Sequence, residues 1–151
     1  MRLLWVVAMG WEGFYGTPNR ALFRAAVRDR REEDILGVEL ATIGQDLCEV
    51  DFRGFREGDL PSLRKSIRKA VEFAEQDDIS EVFFYVHRLM VWRTRLLAGK
   101  LVPRAFEFRV IPVDAELYPL ASQVWVRSPF LFVLREIPIL FLELIGISVG
   151  S

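Results

Sequence analysis

The chain has 151 residues, 52% of them hydrophobic and 27% charged, which fits one domain with a proper core and disfavours disorder. A formal net charge of −1 excludes a general polyanion binder, though not a local basic patch. Cys48 and His87 are the only residues of their kinds, so an intramolecular disulfide, a cysteine metal cluster and a two-histidine metal motif are all excluded.

Leu3 to Ala8 is continuously apolar and rich in branched and aromatic side chains, the pattern of a strand covered on both faces. No small-residue cleavage site follows it, so the segment reads as a strand and not as a signal peptide, and a cytoplasmic location is expected. The loop Gly10-Trp11-Glu12-Gly13-Phe14-Tyr15-Gly16 comes next, and Thr17-Pro18 has the chemistry of a helix start. Strand, glycine loop and helix N-terminus in that order form an anion site in open α/β sheets. Gly10, Glu12, Gly13, Tyr15, Gly16 and Thr17 are therefore candidates for holding a phosphate-bearing, nucleotide-like ligand. The spacing G-x-x-G-x-x-G departs from the dinucleotide fingerprint, and no G-K-[ST] follows. The competing reading is a loop whose glycines let Trp11, Phe14 and Tyr15 fold back onto the core. No cofactor is implied by any motif.

Pro18 to Arg31 is expected to be a helix, with Leu22, Phe23, Ala26 and Val27 buried and Arg20, Arg24, Arg28 and Arg31 outside. Ile35–Ile43 and Leu47–Phe52 read as strands joined by a hairpin at Gly44-Gln45-Asp46, followed by a loop with Gly54 and Gly58. Leu60 to Gln76 is a second helix, apolar at Leu60, Leu63, Ile67, Val71 and Ala74, basic at Arg64, Lys65, Arg68 and Lys69. A nucleic acid would be met by Arg24, Arg28, Arg64 and Arg68, or by the basic stretch 88–109 around Trp92.

Glu81 to His87 reads as a strand buried on both faces. Residues 88–98 fit either a helix ended by Gly99 or a strand continuing through Trp92. Ala105 to Ile111 alternates as a strand stopped by Pro112, Asp114 to Ser122 holds a helical turn, and Val124-Trp125-Val126 is a short strand. Phe130 to Val149 is nearly all apolar, but Arg135, Glu136, Glu143 and Pro138 argue against a membrane span. Two buried strands, or a strand and a short helix, are expected there. As a strand it would turn Ile139, Phe141, Ile145 and Ile147 to one side and Leu140, Leu142 and Leu144 to the other.

Any nucleophilic site would have to use His87, at the end of a central strand, with Cys48 or a serine as partner. The bland alternative is a hydrogen-bonded structural histidine. Glu49 and Asp51 with Glu12, or Asp114 with Glu116, are carboxylate groupings of a kind that holds Mg²⁺, but alternating acids on a strand face are ordinary, and no metal site is assigned. The order of elements suggests one α/β domain over 1–151, with a mixed sheet of about five to seven strands and two to four helices. Its core is ferredoxin-like if the hairpin forms, or Rossmann-like if residues 35–52 hold a single sheet strand. The functional expectation is a self-associating binding or regulatory protein, a homodimer or higher oligomer through Phe130–Val149. The alternatives are an enzyme or sensor using the Gly10–Pro18 loop, and a nucleic-acid-binding protein.

Overall fold

The computed structural model describes residues 1–7, 17–40, 52–55, 63–115 and 129–146. Within them lie β1 (Arg2–Val6), α1 (Thr17–Asp29), β2 (Ile35–Leu40), β3 (Phe52–Phe55), α2 (Leu63–Gln76), β4 (Glu81–His87), a 3-10 turn (Arg88–Met90), α3 (Val91–Leu101), β5 (Glu107–Val113) and α4 (Pro129–Leu144). The strands form one sheet in the order β3-β2-β1-β4-β5, and every neighbouring pair is parallel. This is the strand order of doubly wound α/β sheets, with helices on both faces.

Strands β1 and β4 occupy the centre because they are the two runs that can bury both faces. Leu3, Trp5 and Val7 with Val82, Phe84 and Val86 pack beneath α2 and α3, against Leu63, Ile67, Ala70 and Leu97. Leu4 and Val6 with Phe83 and Tyr85 point the other way and meet Leu22, Phe23 and Ala26 of α1. The start of β1 is tied to the α1–β2 turn by Arg2, whose guanidinium pairs with Asp34. Burial pushes the Asp34 carboxyl up, but hydrogen bonds from Arg2 and from the Arg31 amide outweigh it and hold it below the usual carboxylate range.

The described strands all pair in parallel, so the sheet they form is neither the mixed sheet expected nor the antiparallel sheet of a ferredoxin-like core, while the expected hairpin turn at Gly44-Gln45-Asp46 lies outside the described residues. Gly54, expected in a loop, lies inside β3. Residues 88–98 form the 3-10 turn and α3, not a continued strand. Strand β5 runs through Pro112 to Val113, which an edge position tolerates. The largest departure is at the C-terminus, where 129–144 is one helix carrying Pro138 inside it, so the two-sided strand pattern expected there does not form. Residues 47–51, most of 114–122 and residues 124–126 lie outside the described residues.

Packing is close where β1 passes β2. Trp5 is fully buried, donates from Nε1 to Ser66 Oγ at 2.8 Å and stands over Gly37, its register partner. A Cβ at Gly37 would lie 2.4 Å from Trp5 Cε3, so only glycine fits. Gly99 in α3 has nothing within 4 Å of such an atom. Gly37→Ala is expected to lower unfolding stability by about 1–3 kcal/mol through overpacking. Gly99→Ala should raise it by about 0.5–1 kcal/mol. Urea unfolding of both variants beside the parent checks the pair.

Candidate functional site

Two places in this fold gather chemistry. The first is the C-terminal edge of the sheet. From β1 the chain winds one way to β2 and β3, and then the other way to β4 and β5, so the edge between β1 and β4 is the topological switch point where such sheets hold ligands. Val7 leaves β1 at this edge with its amide donating to Tyr85 O at 3.0 Å. Thr17 opens α1 on the far side of the glycine loop. Gly10, Glu12, Gly13, Tyr15 and Gly16 lie outside the described residues, as do Cys48, Glu49, Asp51 and Glu116.

His87 ends β4 at the same edge and is 1% exposed. Its Nδ1 accepts from the Leu89 amide at 3.2 Å, which puts the ring proton on Nε2, 2.7 Å from Ala115 O. Burial holds its pKa below the ordinary imidazole value. Both ring nitrogens are thus engaged by backbone. The side chain caps the 3-10 turn and pins the segment that follows β5. Arg88 beside it pairs with Asp114 at 3.3 Å.

The four candidate arginines do not share a surface. Arg24 and Arg28 stand on α1, over one face of the sheet, and line a groove of about 470 Å³ with Ala21, Ala25, Ile111 and Asp114. Arg64 and Arg68 stand on α2, over the opposite face. The sheet lies between the two pairs, and Arg64 is drawn to Glu143.

That last contact belongs to the second place, which the sequence reading missed in its form. Glu136 and Glu143 are seven residues apart on α4, two helical turns, and so share one face. That face is turned inward. Glu136 Oε1 lies 3.5 Å from Arg93 Nη1 on α3 and 3.7 Å from Arg135 Nη1. Glu143 Oε2 meets Arg64 Nη2 at 3.5 Å, and its carbonyl accepts from Lys100 Nζ. The two acids are only 8% and 1% exposed. Both Glu136 oxygens and Glu143 Oε1 are buried without a hydrogen bond. The opposite face of the same helix is apolar and open to solvent. Phe130 is 71% exposed, Ile137 60% and Phe141 61%, with Val133, Leu134, Leu144 and Ile145 completing the row. Trp92 on α3 is exposed as well, with Arg95 against its ring.

Helix α4 is therefore inverted, with charge toward the protein and hydrocarbon toward solvent. The signal was present in the sequence as the spacing of Phe130, Leu134, Ile137, Phe141 and Leu144 at alternating fours and threes, a helical stripe that alternation along a strand obscured. No helix among the described residues is long and apolar enough to cross a membrane. Among the same residues no group of histidine, cysteine or carboxylate side chains could hold a metal ion. No family model matches this chain, and neither the characterised proteins nor the solved structures contain a match to it.

Burial raises the Glu136 carboxyl above its ordinary pKa, and the opposing pull of Arg93 and Arg135 does not restore it. Because its folded pKa exceeds the unfolded value, the folded state binds the proton more tightly. The stability this provides is complete below the unfolded pKa and is lost as pH rises through the folded one. Glu136→Gln should flatten that part of the stability–pH curve, measured by chemical unfolding across the acid range. Arg93→Met leaves the buried acid only the more exposed Arg135 as a cation and should cost up to about 3–5 kcal/mol at neutral pH, most of it recovered in the double variant with Glu136→Leu.

Proposed function

We propose that this protein is a self-associating binding or regulatory domain whose interaction surface is the outer face of α4, with a second copy of the chain as its partner. One observation carries the reading. The apolar row of α4 faces solvent while its two acids are buried against Arg93 and Arg64. A helix that buries charge and exposes hydrocarbon is unfavourable on an isolated monomer. It becomes favourable when a second apolar surface covers the row. Large exposed rows of this kind mark interaction sites, and two-fold homodimers are the commonest soluble assemblies.

Sedimentation velocity at micromolar concentration is expected to show a dimer or higher oligomer. Phe141→Asp should shift it to folded monomer, because this exposed side chain contributes little to its own core. Leu142→Asp, half-buried in α4, should instead reduce the yield of folded protein. A wild type that stays monomeric and soluble would overturn the proposal.

A second reading is favoured by the parallel strand order. β1 ends at the switch point and α1 begins at Thr17, so a phosphate-bearing ligand held between them would meet the N-terminus of α1. In this reading the protein is an enzyme or sensor acting on a nucleotide-like ligand. A nucleotide panel should then raise the melting temperature, and Gly13→Val should abolish the shift. An unchanged melting temperature across the panel would leave the glycines a packing role alone.

A further inference from the structure

We infer that two copies pair through α4 in antiparallel orientation about a two-fold axis at Ile137, an assignment that rests on the self-association proposed above. The exposed row is nearly its own mirror along the helix. Phe130 and Leu144 lie equally far from Ile137, and Leu134 and Phe141 flank it on the two sides. Reversing the helix therefore presents the same spacing, which a self-complementary two-fold contact requires.

Side-chain size selects the orientation. Antiparallel pairing sets Phe130 against Leu144 and Ile145 of the partner subunit, and Phe141 against Val133 and Leu134 of the partner subunit. Each large ring then opposes an aliphatic side chain, and the gap between helices is filled evenly. Parallel pairing would set Phe130 on its own copy and Phe141 on its own copy, with aliphatic side chains facing aliphatic ones between them. The helix dipoles also oppose in the antiparallel arrangement and repel in the parallel one. No acid disturbs the contact, because Glu136 and Glu143 are turned inward onto Arg93 and Arg64.

The area is sufficient. An aromatic side chain covers about 150–250 Å² when wholly buried and an aliphatic one somewhat less, so at their observed exposures the six α4 side chains and Ile145 just after the helix offer roughly 700 Å². That is close to the about 800 Å² that each partner contributes to a standard interface, and above the about 300–600 Å² of the largest patch on a typical monomer. Because the contact is isologous it closes at two copies and leaves no exposed row to propagate.

Cysteine cross-linking separates the orientations. Ile137→Cys, Phe130→Cys and Leu144→Cys are prepared singly, oxidised alone or mixed, and the linked peptides identified by mass spectrometry, so Cys48 can stay in place. Ile137→Cys should link to its own copy. Phe130→Cys should link to Leu144→Cys several-fold more than either links to itself, since a disulfide needs the two Cα atoms within about 7 Å. Preferential self-linking of Phe130→Cys would show a parallel pair and overturn this inference while leaving self-association intact. A dimer by sedimentation with none of these links would place the contact elsewhere and overturn it as well. A monomer by sedimentation would remove both the inference and the function it rests on.

Discussion

Everything in this fold hangs on β1 being buried on both faces. Trp5 shows why the arrangement is unforgiving. Its indole is fully enclosed, its one polar atom is satisfied by Ser66 of α2, and its ring edge occupies the space that any side chain at position 37 would need. The same strand sends Leu4 and Val6 into the other core layer under α1. A strand committed in both directions must sit in the middle of the sheet, so the neighbouring strands are recruited to either side of it. That in turn creates the switch point at its C-terminal end. The packing of one five-residue strand and the location of the fold's switch point are consequences of the same constraint.

The docking of α4 obeys a different balance. Its inner face is held by charge pairs at 3.5 Å and by a lysine reaching a helix-terminal carbonyl, with three carboxylate oxygens lacking hydrogen bonds. Buried ion pairs of this kind hold position and register more than they add stability, because desolvation offsets most of the Coulomb attraction. The raised pKa of Glu136 is the same offset seen from the proton's side. A helix anchored by charge keeps its hydrocarbon face available. A helix anchored by hydrocarbon would have consumed that face in the core of its own chain. The inverted polarity of α4 thus follows from how the helix is attached to its own chain.

Among the described residues, His87 ties together the C-terminal sheet edge at β4 and β5. With one ring nitrogen accepting from Leu89 and the other facing Ala115 O, the imidazole joins the exit of β4 to the exit of β5. Its burial and low proton affinity suit a neutral, fixed hydrogen-bonding group. On the flank of the same layer, Arg24 and Arg28 overlook a groove floored by Ala21, Ala25 and Ile111, while Arg64 and Arg68 are on the far side of the sheet. A ligand or strand of nucleic acid resting on one helix would therefore meet only one of the two arginine pairs.

The local patterns of the chain determined its class: continuous apolar runs at Leu3–Val7 and Val82–Val86 require buried strands, and the three-four spacing of Leu22, Phe23 and Ala26, and of Leu63, Ile67 and Ala70, requires helices on a sheet. Those signals depend on neighbours a few residues apart, and they survive into the structure. Strand direction depends on contacts between residues far apart in sequence. Gly44-Gln45-Asp46 has the composition of a hairpin turn, yet β2 and β3 run parallel, because their order is imposed by what covers β1. The C-terminal segment shows the same limit. An apolar run reads equally as strand or helix when nearly every position is hydrophobic, and only its few charges break the tie. Glu136 and Glu143 decide it in three dimensions, where Arg93 and Arg64, some 43 and 79 residues away along the chain, wait on one face. Tertiary structure alone determines which side of α4 is inside, because burying an acid is tolerable only where a cation has already been placed to receive it.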